Sequence, residues 1–158
     1  MKHNNSGFTL AELMIVIAII AIVSAIALPN MIGWRERAKL RGAAENLRGD
    51  LQWAKIRAIR DHNVVAVVFD TGRYLVRDAA GLTVRSRQLP AGVVINLGAS
   101  TVVADPDNIN HLKVLFESRG RCQDNSLGQP TDGLLVLQDT AGEQRQISVN
   151  PLGLIRQE

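Results

Sequence analysis

From Leu10 to Gly33 the chain carries a single ionisable side chain, Glu12, and the next charge is Arg35. No other feature of the 158 residues constrains the fold as much. About 20 consecutive apolar residues suffice to cross a bilayer as a helix. A carboxylate inside such a run is costly unless something pairs with it. A cleaved secretory signal could use Lys2 as its basic start and Ala25-Ile26-Ala27 as its cut site. Its apolar region would nevertheless exceed the usual ~7–15 residues, and Glu12 would stand at the head of it. A plain anchor has the right length from Leu13 to Ile32, and Lys2 favours a cytoplasmic N-terminus. That reading leaves the acid without a purpose.

Charge and cysteine usage narrow the rest. Up to His62 there are nine basic and five acidic residues; from Asn63 onward there are nine and ten. The basic character therefore belongs to the N-terminal third, which argues against a basic globular nucleic-acid binder. Cys122 is the sole cysteine, so no intrachain disulfide can form. His3, His62 and His111 are scattered, and no nucleophile signature surrounds Cys122. Asp105, Asp107, Asn108 and Asn110 form an oxygen-rich stretch, but its spacing misses the calcium loop pattern and Pro106 restricts it. No phosphate-binding glycine motif occurs. We expect no enzyme, no cofactor and no metal.

Past the apolar run the helical period continues. Leu40, Ala44, Leu47, Leu51, Ala54 and Ala58 recur at alternating spacings of four and three. Arg35, Glu36, Arg37, Lys39, Arg41, Glu45, Arg48 and Asp50 fill the other faces. One long helix is expected from about Phe8 to about Asp61, with a kink at Pro29, which lacks an amide hydrogen and clashes one turn back. After His62 the pattern turns to strands: Val64 to Phe69, Arg73 to Arg77, Leu82 to Arg87, Val93 to Leu97, Leu112 to Glu117, Leu134 to Gln138, Gln144 to Val149 and a short Leu154 to Arg156. Residues 99–110 and 122–132 read as loops. The expected class is α+β, a long helix packed on one antiparallel sheet or two small ones.

Gly7-Phe8-Thr9-Leu10-x-Glu12 followed by the apolar run resembles the type IV pilin and pseudopilin superfamily. The resemblance narrows to the H-type minor pseudopilins of type II secretion and the FimT/FimU-type minor pilins. It does so through Gln52-Trp53-Ala54-Lys55-x-Arg57-Ala58-Ile59-Arg60, Phe116-x-Ser118-Arg119-Gly120-Arg121 and Ile147-Ser148-Val149-Asn150-Pro151-Leu152-Gly153. The resemblance implies that a prepilin peptidase removes a leader, residues 1–7, by cutting between Gly7 and Phe8. Phe8 is then N-methylated. It implies a transmembrane and filament-core helix over 8–33, an amphipathic continuation over 34–62 and an antiparallel β domain over 63–158. Glu12 would pair with the new Phe8 amine, on its own or a neighbouring chain, and set the assembly register. The implied setting is the bacterial inner membrane, with the N-terminus cytoplasmic and the β domain periplasmic until assembly into a filament. The implied partners are the lipid bilayer, an inner-membrane assembly platform and the other pilins or pseudopilins. Some FimT-type proteins bind DNA in uptake and carry a Gly-Arg-x-Arg ending. Here Gly153-Leu154-Ile155-Arg156 lacks the first arginine, which disfavours a DNA-binding role.

Overall fold

The computed structural model describes the backbone of residues 8–102, 104–105, 108–123 and 132–158, and their side chains except at 27–30, 32, 104–105 and 108–110. Two units make up the chain, Met1–Arg35 and Glu36–Glu158. Helix α1, Leu10–Arg60, contributes to both. The helical backbone continues through Pro29. Among the described residues no helix is long and apolar enough to cross a membrane. The span expected over 8–33 also includes 27–30 and 32, whose side chains lie outside the described residues.

In the first unit the apolar side chains among the described residues are exposed. Leu10, Leu13, Ile15, Ile17, Ile20, Val23 and Ile26 are all exposed, as is Phe8 at 86%. A helix that is apolar on every side needs lipid or other helices around it.

In the second unit α1 supplies the expected stripe. Leu40, Ala44, Leu47, Leu51, Ala54 and Ala58 are all buried, joined by Ala43. Burying each leucine there stabilises the unit by roughly 1.5–3 kcal/mol. The helix ends in a Schellman turn. Asn63 N–H donates to Ala58 O at 3.1 Å and His62 N–H to Ile59 O at 3.4 Å, with His62 in the left-handed region at φ 48°.

Among the described residues ten strands follow, all paired antiparallel: β1 Val65–Asp70, β2 Arg73–Arg77, β3 Thr83–Gln88, β4 Val93–Ile95, β5 Ala104–Asp105, β6 Asn108–Phe116, β7 Cys122–Gln123, β8 Gly133–Asp139, β9 Gln144–Val149 and β10 Ile155–Gln157. They form two sheets. One runs β3-β2-β1-β6-β5, with β7 also on β6, and the other runs β10-β9-β8-β4. Val65, Val67 and Phe69 of β1 sit opposite Phe116, Val114 and Leu112 of β6, and all six belong to one buried cluster with the α1 stripe. Leu135, Leu137, Ile147 and Val149 bring the second sheet into the same core. The Ile95 N–H donates to Thr71 O at 2.8 Å and ties β4 to the β1–β2 turn.

Three readings need correction. Within residues 99–110, expected to be mostly loop, 104–105 and 108–110 are strand, and β5 pairs with β6 with Asp105 opposite Asn108. The loop expected over 122–132 opens with a strand, β7, which finds its partner on β6. In both places turn-forming residues hid a ladder that only a neighbouring strand could complete. Asp50, read as part of a charged outer face, is 3% exposed. The side chains of Asp105, Asp107, Asn108 and Asn110 lie outside the described residues.

Candidate functional site

Phe8 and Thr9 precede the first turn of α1, and Gly7 lies outside the described residues. Thr9 is the N-cap. Its hydroxyl accepts from the Glu12 backbone N–H at 3.2 Å, while Glu12 Oε2 accepts from the Thr9 backbone N–H at 3.0 Å and from the Thr9 hydroxyl at 3.1 Å. This is a capping box, in which two helix-start donors that lack intrahelical partners satisfy each other's side chains. The signal was present as Thr9-x-x-Glu12, three residues apart at the edge of an apolar run. Glu12 therefore has a local partner before any amine is created on Phe8. Its negative charge also sits at the positive end of the helix macrodipole.

The three later motifs converge on one junction. Lys55 Nζ donates to Gly153 O at 2.9 Å, and Cys122 N–H donates to Pro151 O at 3.1 Å. Gly153 has φ 71°, and a Cβ there would fall 2.0 Å from Gly120 O. Gly120 has φ 75°, and its Cβ would fall 2.7 Å from Ile59 Cδ1. Only glycine permits this backbone approach. The β6–β7 turn of one sheet thus touches the β9–β10 turn of the other, and both rest on α1. Cys122 is buried beside it, and burial, then the charge of Asp132, push its thiol up to about 11. Such a thiol stays protonated and unreactive at neutral pH.

Asp50 is the buried acid that the helical reading missed. It accepts from Tyr74 Oη at 2.7 Å, Arg85 Nη1 at 2.5 Å and Arg87 Nε at 2.8 Å. Burial alone would raise its pKa, but the three hydrogen bonds outweigh it and hold the carboxyl below the usual range. Burial, then the Asp50 hydrogen bond, push the Tyr74 phenol up, and the same carboxylate raises Arg87. The Arg85 guanidinium also lies 4.3 Å from the centroid of the Trp53 ring, a cation–π contact. The signal in the sequence was an acid at 50, on the buried edge of the 47–51–54 stripe, with arginines alternating along β3.

No group of acidic, histidine or cysteine side chains able to hold a metal occurs among the described residues. The family model described as type II transport protein GspH matches residues 43–153, and the prokaryotic N-terminal methylation motif matches residues 2–28. The chain belongs to the type II transport protein GspH family, within the type IV pilin and pseudopilin superfamily. Pilin-like proteins of known sequence are similar to it. The type IV wide pilus major component PilA4 of Thermus thermophilus is 32% identical over 95 residues, which are 60% of this chain and 65% of that one. The type IV major pilin protein PilA of Myxococcus xanthus is 57% identical over 44 residues, 28% of this chain and 20% of that one. The type II secretion system core protein G of Aeromonas hydrophila is 39% identical over 46 residues, 29% and 32% of the two chains. The matches thus span from a fifth to about two thirds of these relatives' own lengths. In fold, the type IV minor pilin FimU of Pseudomonas aeruginosa is similar, with TM-score 0.54 at 19% identity over 79% of this chain and 92% of that one. So is the minor pseudopilin EpsH of the Vibrio cholerae type 2 secretion system, with TM-score 0.56 at 15% identity over 76% and 96%. This helix and its antiparallel sheets have the pilin-like fold.

Proposed function

We propose that this chain is a minor pseudopilin or minor pilin, a non-enzymatic structural subunit of a type II secretion pseudopilus or a type IV pilus. The observation that carries the reading is the start of α1. There an uncovered, all-round apolar helix is led by a capped glutamate, on a chain whose second unit buries a core of its own. Before assembly the apolar half sits in the inner membrane, N-terminus cytoplasmic and β domain periplasmic. A prepilin peptidase cuts between Gly7 and Phe8, and Phe8 is N-methylated. With the help of an assembly platform, the helix then exchanges lipid for the helices of other pilins, in the filament or at its tip. Pro29 kinks the helix along the way. Glu12 pairs with the Phe8 amine and sets the register, because a wrong stagger leaves two buried charges apart.

Processing tests the first step. A bulky residue at Gly7, such as Gly7→Val, should leave full-length precursor in the membrane fraction by mass spectrometry. A normally cut Gly7→Val chain would count against the reading. Glu12 can be divided into its two roles. Glu12→Gln keeps an acceptor for the cap, since glutamine also closes a capping box, but removes the charge that an amine needs. Glu12→Gln and Glu12→Ala should both be cut normally and both be depleted from sheared filaments. If Glu12→Gln enters filaments at the wild-type level while Glu12→Ala does not, Glu12 acts as a cap and the register role is lost.

A further inference from the structure

Strand β3 ends its sheet, paired on one side with β2 alone, and none of its six residues is fully buried. Its register against β2 shifts between Val76 and Arg77. Val84 is its one apolar side chain packed against the core. What else holds it to the helix is ionic: Arg85 and Arg87 point inward, opposite Val76 and Tyr74, and both end on Asp50. The two guanidinium side chains are 37% and 41% exposed, whereas the Asp50 side chain is 5% exposed. The acid is thus the buried half of the contact, and the arginines can turn to water if it lets go. Segments with few buried apolar contacts open by themselves, at less free energy than the whole unit.

From this we infer that Asp50 is a latch. It closes the edge strand β3 onto α1, and without its charge β3 opens as a separate piece while the other strands of its sheet, the second sheet and the core stay folded. Opening bares the backbone edge of β2, Arg73–Arg77, which β3 otherwise covers. Inward-pointing charges on an edge strand also discourage pairing with another chain, so the closed latch protects this edge. The inference does not depend on the filament reading and would hold for the chain in any assembly.

Hydrogen exchange read by mass spectrometry on the full chain in detergent micelles tests it. In Asp50→Asn, and separately in Arg85→Gln/Arg87→Gln, peptides covering β3 should exchange about 10–100-fold faster, the factor expected for losing a charge-assisted hydrogen bond. Peptides from β8 and β9 should keep wild-type rates. In a Trp34→Phe background the remaining Trp53 should change emission in both variants, because Arg85, the nearer of its two cation–π partners, leaves while Arg57 stays. Arg87→Gln alone, which leaves the acid two donors, should give a smaller effect of the same kind. Unchanged β3 exchange overturns the latch. So does uniform acceleration in all strands, or failure of all three variants to fold, since either outcome makes Asp50 part of the global core.

Discussion

Asp50 also makes the pH dependence of this chain specific. The groups bonded to it are Tyr74 from β2 and Arg85 and Arg87 from β3, and Trp53, one turn on along α1, lies against Arg85. Tyr74 and Arg87 are both pushed up while the carboxyl is held low, so of these three it is the carboxyl that takes up a proton in acid. Its folded pKa lies below the unfolded value of ~3.9, so the unfolded chain takes the proton first as pH falls. The stability that Asp50 contributes is therefore complete above about pH 5 and is lost on descending through the folded pKa. Urea melts of wild type and Asp50→Asn should differ at pH 7, and the difference should shrink as the pH falls through the folded pKa of Asp50. Two backbone positions carry opposite expectations. His62 holds a left-handed angle that glycine adopts freely, so His62→Gly should stabilise by up to about 1 kcal/mol. At Gly153 a methyl would overlap the Gly120 carbonyl, so Gly153→Ala should destabilise by at least about 3 kcal/mol in the same melts.

Helix α1 joins two different solvation problems in one run of hydrogen bonds. Its first part is apolar on every side; its later part is apolar on one face, with Asp50 let into that face. Gly42 and Gly49 lie in the later part, and a Cβ at either meets nothing within 4 Å. Each glycine weakens a helix interior by roughly 1 kcal/mol relative to alanine. Gly42→Ala and Gly49→Ala should therefore each raise the unfolding midpoint, and together add nearly independently. A drop in midpoint for either would mean that the helix bends there in a way the methyl prevents. Among the strands, β1 was the easiest to read, as a continuous Val-rich run, and it lies in the interior of its sheet with β2 and β6 on either side.

The second unit, Glu36–Glu158, closes its own core from the α1 stripe and both sheets. A chain beginning at Glu36 should accordingly fold without the apolar half and melt cooperatively. In that chain Leu47→Asp places an unpaired carboxylate where Leu47 is wholly buried, at a cost of several kcal/mol, and should abolish the transition. Arg48→Asp, one position on and exposed, should leave it within about 0.5 kcal/mol of the parent. Equal behaviour of the two would mean that the stripe does not face the sheets.

Much of this was legible along the chain because it depends on neighbours in sequence. A period of 3.6 residues marks the face of α1, a continuous β-branched run marks β1, and Thr9-x-x-Glu12 marks a cap whether or not it is noticed. The motifs around Lys55, Gly120 and Gly153 could be seen but not understood one at a time. Their reason is a contact between two turns more than thirty positions apart, too close for any side chain. The strands β5 and β7 and the start of β6 could not be seen, since an Asp- and Asn-rich segment, or a two-residue strand such as Cys122–Gln123, becomes a strand only when another strand offers it a ladder. Asp50 was misplaced for the same cause. An acid on a helix belongs to the solvent until the folded chain brings a phenol and two guanidiniums to meet it, and no local pattern records that meeting.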